Sequence, residues 1–354
     1  MSGGPEVQGD PGTTAPGGAE ASRLRVAVLG SGAWGTAFAM VLADAGCDVV
    51  LWGRDPEVAR SVTEDHANPK RLPGVVLPAM SATTDAAAAL AGARIVVAAV
   101  PSQVARATLE PMRDLLEPGA VVVSLMKGIE LSTDKRMTVV IAEALDIPAA
   151  RVAVVSGPNL AREIAQRQVA ASVVAAQDET TARFVADACS ASYFRPYTND
   201  DVVGVELCGA VKNVIALAVG MAQGRGFGWN TTATLITRGL AEITRLGMAL
   251  GARPETFAGL AGMGDLVATC ASPLSRNHTL GKHLGQGMSL DEAIAATGGT
   301  AEGVKSSASV LDLARTHGVD MPITQGVVGV ISGKFPIDEL GAALLARPLK
   351  SEAV

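Results

Sequence analysis

The chain has 354 residues, 48% of them hydrophobic and 18% charged, with a formal net charge of −6. Single cores stop growing near about 250–300 residues, so there is room for two domains. The acidic balance and an aromatic content of only 3% argue against a nucleic-acid partner, which needs a basic surface and stacking platforms.

The four cysteines (Cys47, Cys189, Cys208, Cys270) form no C-x-x-C pair. The four histidines (His66, His278, His283, His317) have no H-x-x-x-H spacing. Neither a metal site nor a disulfide framework is expected. Residues 1–22 are rich in Gly, Pro, Ala and Thr without an apolar block, which reads as a disordered tail rather than a signal peptide. No apolar run approaches the roughly 18 uncharged residues of a membrane helix. A cytoplasmic protein without stable membrane insertion is expected.

In chain order, the β-branched run Val26 to Leu29 stops at Gly30-Ser31-Gly32-Ala33-Trp34-Gly35, and a helical pattern follows from Thr36 to Ala45. A strand, a G-x-G-x-x-G turn and a helix start make a dinucleotide fingerprint. Gly30 turns the chain, Gly32 admits a pyrophosphate and Gly35 lets helix pack on strand. The negative charge of such a ligand is favoured by the free N–H groups and dipole at the helix start.

The strand Asp48 to Trp52 then delivers Gly53-Arg54-Asp55. An acid at this point suits the ribose hydroxyls of NAD, and an arginine suits the 2′-phosphate of NADP. Arg54 leans toward NADP(H), with dual use open, and Asp55 before Pro56 suits a helix cap.

Further near-continuous apolar runs, Ile95 to Val100, Ala120 to Leu125 and Val152 to Ser156, read as parallel strands covered on both faces. Ligands of such sheets bind beyond the carboxyl ends of the strands. Of the residues there (Pro101-Ser102, Met126-Lys127-Gly128, Ser156-Gly157-Pro158-Asn159), only Lys127 is charged.

After a run Ala170 to Ala176, a helix Glu179 to Ala188 and a short strand Phe194 to Tyr197, strand-like runs cease near Asp200. Helices bounded by Gly and Pro fill the rest. The fold class is therefore α/β: a Rossmann-like parallel-sheet domain over 23–200, then an all-helical domain over 201–345, with tails at 1–22 and 346–354.

In the helix Glu206 to Met221, Lys212 and Asn213 interrupt an apolar segment. Such a lysine either snorkels outward or enters a polar pocket, where desolvation lowers its pKa. Asp265 follows a glycine pair and suits both a cap and a site carboxylate. Ser275-Arg276-Asn277 opens a helix with the inventory for gripping a phosphate. Thr300 and Glu302 stand at another helix start, where a structural role is the simpler reading. Arg238, Glu242 and Arg245 have the spacing of a surface or interface salt-bridge ladder. Gly224 to Gly228 reads as a flexible connector or a lid.

Together, G-S-G-A-W-G-T, S-L-M-K-G-I-E, V-S-G-P-N-L-A-R-E, G-A-V-K-N-V-I-A, N-T-x-A-T-L-I-T-R-G-L-A-E, G-M-G-D-L-V-A-T-C and S-R-N closely resemble the bacterial NAD(P)-dependent sn-glycerol-3-phosphate dehydrogenases, over about Leu24 to Arg347. The resemblance implies reversible reduction of dihydroxyacetone phosphate to sn-glycerol 3-phosphate for glycerophospholipid synthesis, with NADP(H) or NAD(H), by a cytoplasmic homodimer.

By the same resemblance Lys212 donates and accepts the proton, and Lys127 and Asp265 share the catalytic site. Gly157, Asn159, Ser275, Arg276 and Asn277 join these three in holding substrate. Gly30, Gly32, Ala33, Trp34, Gly35, Arg54, Lys127, Ala161, Arg276, Thr300 and Glu302 fall at cofactor positions. Ala33 stands where many relatives carry Ser, and Thr300 where they often have Val. Two rivals are a hydride-transferring relative acting on a carboxylated keto acid and an idle NADPH-sensing protein. The first would not need the S-R-N grip, and the second would not need Lys127, Lys212 and Asp265 together.

Overall fold

The computed structural model describes residues 23–131, 133–298, 302–334 and 336–338. Thr300 and both terminal tails lie outside the described residues. The first half alternates strands and helices: β1 (Arg25–Leu29), α1 (Ala33–Asp44), β2 (Asp48–Trp52), α2 (Pro56–Glu64), β3 (Ser81–Thr83), α3 (Ala86–Leu90), β4 (Ile95–Ala98) and α4 (Ala105–Leu109). It continues with β5 (Val121–Ser124), α5 (Met137–Leu145), β6 (Val152–Ser156), α6 (Ala161–Ala165), β7 (Ala170–Ala176), α7 (Glu179–Ala188) and β8 (Phe194–Asn199).

These strands make one eight-stranded sheet in the order β3-β2-β1-β4-β5-β6-β7-β8. Pairing is parallel throughout except between β6 and β7, which run antiparallel. After α6 the chain enters β7 beside the end of β6 and runs back along it, pairing Ser156 with Val173 and Ala153 with Ala176.

Both faces of the sheet are covered. Val28, Val49, Ile95 and Val123 pack with α1 on one side, and Ala27, Val96 and Val122 with α5 on the other. Strand β3 escapes a pattern search because Ser81-Ala82-Thr83 holds no apolar run; it simply extends the edge beyond β2. Helix α1 starts three residues before the periodicity suggests, since Ala33, Trp34 and Gly35 are already helical.

The second half is helical: α8 (Val202–Gly224), α9 (Trp229–Ala249), α10 (Pro254–Ala258), a π-helical turn (Leu260–Gly264), α11 (Asp265–Ala271), α12 (Arg276–Gly285), α13 (Leu290–Ala296), α14 (Glu302–Thr316) and α15 (Pro322–Ile331). Helix α8 is long and apolar enough to cross a membrane, yet 94% of its apolar window is buried inside the molecule. It is the axis of this half, with α9, α11, α12, α14 and α15 packed round it.

Against α12 it touches backbone to backbone. A Cβ on Gly220 or Gly224 would overlap the carbonyls of His278 or Lys282, and one on Gly281 or Gly285 those of Leu217 or Met221. Substitution Gly281→Ala is expected to cost about 1–3 kcal/mol by overpacking, read as a lower urea midpoint; an unchanged midpoint would show the crossing to be loose.

The ladder expected of Arg238, Glu242 and Arg245 does not form. Glu242 is 1% exposed, and its carboxylate accepts from the N–H groups of Ile323 (2.6 Å) and Thr324 (3.2 Å), capping α15 from across the bundle. Burial pushes its carboxyl up to about 7. Arg245 instead donates to the Asp320 carbonyl at 3.1 Å.

Candidate active site

The glycine turn after β1 has the geometry its spacing suggests. Gly30 has φ +124°, and a Cβ there would press on the Ala99 backbone, while one on Gly35 would overlap the Gly30 carbonyl. Above Gly32 nothing lies within 4 Å, and no side chain caps α1. A close approach is therefore open at the helix end that favours an anion.

Ala33 and Trp34 form the first residues of α1, and the indole N–H of Trp34 is buried without a partner. Arg54 is exposed just beyond β2. Its neighbour Asp55 is otherwise engaged, capping α2 through Glu57 N (3.0 Å) and Val58 N (3.4 Å) and pairing with Lys70 at 2.8 Å. The acid is spent on the fold and the guanidinium is free to meet a ligand. An open cradle, an orphaned donor and a free cation all fit a bound dinucleotide phosphate.

Beyond the ends of β5 and β6 the two halves meet. Lys127 donates to the Gly157 carbonyl at 3.0 Å and to Asp265 Oδ2 at 2.7 Å. From α8, Lys212 donates to Asp265 Oδ1 and to Thr269 Oγ1, the latter at 2.7 Å. One carboxylate, 1% exposed, thus bridges two ammoniums, of which Lys212 is itself 6% exposed. Burial lowers the Lys212 pKa to about 7, opposed by Asp265 and assisted by the like charge of Lys127. Of the two readings of Lys212, the inward one holds.

Sequence explains how three groups from distant segments converge. The π turn at Leu260–Gly264 delivers Asp265 into α11; such turns are frequent at functional sites. Thr269 lies one helical turn further on the same face. On α8, Gly209 clears a path: a Cβ there would sit 2.8 Å from Ser156 Oγ and 3.3 Å from Lys127 Cγ. Asn213, next to Lys212, donates to the Lys127 carbonyl at 3.4 Å.

The other expected residues line or support this cleft. Asn159 donates to Ser172 Oγ at 3.0 Å and leaves its carbonyl oxygen buried without a partner. Gly157 presses close to Ser172, where a Cβ would meet Cα at 3.0 Å. Ala161 begins α6 and packs against the first-half core.

Ser275 caps α12 through His278 N at 3.3 Å. Asn277 spends its carbonyl oxygen on Gly303 N (2.9 Å), tying α12 to α14. Arg276 is exposed and acts electrostatically on Glu302 at the start of α14. Burial raises the Glu302 carboxyl, and Arg276 opposes that shift.

Sequence reasoning missed Thr269 as part of the site; the i, i+4 spacing from Asp265 was the available signal. Among the described residues no group of three or more His, Cys, Asp or Glu side chains could hold a metal ion.

Two family models match the chain: the N-terminal part of NAD-dependent glycerol-3-phosphate dehydrogenase over residues 25–182 and its C-terminal part over 201–342. Proteins named glycerol-3-phosphate dehydrogenase [NAD(P)+] from Streptomyces griseus and Thermobifida fusca are 61% and 60% identical, each over 93% of this chain and 98% of its own length. A crystal structure of glycerol-3-phosphate dehydrogenase from Coxiella burnetii superposes with a TM-score of 0.87 at 35% identity, covering 92% of this chain and 99% of that one. A D-mandelate dehydrogenase, at 13% identity and a TM-score of 0.60, shares the fold alone.

Proposed function

This chain belongs to the NAD-dependent glycerol-3-phosphate dehydrogenase family, and from that premise we propose how its own residues divide the work. It is an oxidoreductase that reduces dihydroxyacetone phosphate to sn-glycerol 3-phosphate with NADPH or NADH, a reaction that feeds lipid synthesis. The observation that carries the assignment of roles is the single buried carboxylate, Asp265, shared by Lys127 and Lys212.

When bound, the nicotinamide supplies a hydride to the C2 carbonyl. Negative charge then grows on the carbonyl oxygen, and Lys212 donates a proton to it; in the reverse direction neutral Lys212 takes that proton back. A pKa near 7 suits both tasks, because neither protonation state is scarce at neutral pH.

Asp265 orients the amine and balances the charge of the pair. Lys127, more exposed than Lys212, faces the entry and reaches both ligands. Arg276, with Ser275 and Asn277 at the α12 start, anchors the phosphate, which makes the reacting geometry nearly intramolecular. Gly157 and Asn159 line the substrate pocket. Gly30, Gly32, Ala33, Trp34, Gly35, Arg54 and Ala161 hold the dinucleotide, with Glu302 and Arg276 closing on it from the helical half. The same reading assigns 23–200 to cofactor binding and 201–345 to substrate, and makes the enzyme a cytoplasmic homodimer with α8 in its core rather than in a membrane.

Consumption of NADPH on addition of dihydroxyacetone phosphate tests the reading, and no turnover with either cofactor refutes it. Arg54→Ala is expected to raise KM for NADPH about tenfold, the loss of one charge-assisted hydrogen bond, while KM for NADH stays put. Titration of NADP+ and NAD+ against the variant should show the same split. Equal weakening of both nucleotides would remove Arg54 from the 2′-phosphate.

A further inference from the structure

Helix α5 lacks a cap of its own: the N-cap position is Arg136, which makes no side-chain capping bond. The missing acceptor comes from the other half of the molecule. Glu206, in the second turn of α8, accepts the N–H of Thr138 at 2.8 Å and its hydroxyl at 2.6 Å, and pairs with Arg136. Its carboxylate is 4% exposed. A buried carboxylate with three donors, at the positive end of a neighbouring helix, is a stiff joint between two elements.

What lies upstream of this joint is the segment that carries Lys127. It leaves β5, passes Lys127 and enters α5 at Arg136. Its outer part is fastened within the first half, by the Arg106 fork on Glu130 (3.0 and 2.9 Å) and by Gln103 on Ile129 O and Leu131 N (2.8 and 2.9 Å). From the helical half, α8 reaches it twice: Asn213 on the Lys127 carbonyl and Glu206 on α5. Glu206 and Lys212 ride on the same rigid helix, six residues and about 9 Å of rise apart.

We propose that Glu206 is a positioning residue for proton transfer: by capping α5 across the junction of the two halves it holds the Lys127 segment against α8, so that both lysines meet on Asp265. The inference rests on the reading of Lys212 as proton donor. If the joint is cut, Lys127 drifts from Asp265. Three consequences for Lys212 then have one sign. A repelling charge leaves, the whole of Asp265 becomes available, and water enters where the segment stood. Each favours the protonated amine. The partners of the Glu206 carboxylate are Arg136 and Thr138, so it bonds to none of the other titratable groups around Lys212 (Asp265, Glu302, Cys208 and Cys270).

The test is the pH profile of kcat/KM for dihydroxyacetone phosphate reduction by wild type, Glu206→Ala and Glu206→Gln, with thermal melting alongside. In Glu206→Ala the alkaline limb should move at least half a pH unit upward and kcat should fall about tenfold. Glu206→Gln, whose amide oxygen still accepts from Thr138, should restore most of both. A Glu206→Ala enzyme that melts earlier but keeps the wild-type limb and kcat would make the joint merely structural and overturn the inference. If that variant does not fold, Thr138→Val, which deletes one donor, is read the same way: an upward shift supports the inference and an unmoved limb overturns it. A Lys212→Ala enzyme with unimpaired kcat would instead sink the proton-donor reading itself, so the two failures are distinguishable.

Discussion

Lys212→Ala is expected to lower kcat for dihydroxyacetone phosphate reduction by about 10²–10⁴-fold, the range a positioned proton donor supplies, while NADPH still binds. The protein should tolerate the change, because the charge left behind is not orphaned: Asp265 keeps its 2.7 Å contact with Lys127. Nucleotide binding should survive because the glycine turn after β1 belongs to the other half of the chain.

The wild-type enzyme carries a related signature. The amine must be protonated to donate, and burial has brought its pKa to about 7. Reduction, measured as kcat/KM, should therefore fall as pH rises through that region, and oxidation of sn-glycerol 3-phosphate should rise over the same interval. Stopped-flow fluorescence of NADPH with the variant, beside steady-state rates, checks both parts. An alanine variant with unimpaired kcat would take the proton chemistry away from this side chain.

Asp265→Asn should be nearly as damaging, by about 10²–10³-fold in kcat/KM, and for an electrostatic reason. The carboxylate is the shared counter-charge of two ammoniums. With an amide in its place the like charges of the pair repel without compensation in a buried site. The cheapest relief is for the more buried amine, Lys212, to lose its proton. The pKa then drops further below 7, and at neutral pH little of the donor form remains. The expected result is an alkaline limb displaced to lower pH, opposite in sign to the Glu206→Ala displacement. A limb that stays where it was would show that Asp265 does not govern the charge of the lysine.

Much of this was readable from residue order alone. Beyond β1 the periodicity changes at three glycines, and each of Gly30, Gly32 and Gly35 sits in the environment its spacing implies. Lys127 stood out as the charged residue at the end of an apolar strand, Lys212 as a break in an apolar helix and Asp265 as a carboxylate after a glycine pair, and the resemblance gave all three their roles. What could not be read was direction and distance. An apolar run such as Ala170 to Ala176 says strand but not which way it points; that is set by where the chain re-enters the sheet after α6. Glu242 looked like a rung of a surface ladder because spacing along one helix is visible in a sequence, whereas the α15 end it caps comes some eighty positions later. Glu206 was read only as the start of an apolar helix, for the same reason.

The glycine-on-glycine crossing of α8 and α12 has a consequence for which molecules the enzyme accepts. The first of these helices bears the amine assigned to the carbonyl oxygen, and the second begins with the guanidinium assigned to the phosphate. Their separation is thus gauged by main chain against main chain, with no flexible side chain in between to stretch or yield. Sliding one helix along the other would drive a carbonyl into its neighbour, so adjustment to a phosphoester one carbon longer falls to the Lys212 and Arg276 side chains alone. On the proposed assignment, the scaffold thus contributes a fixed helix spacing to selection for substrate length.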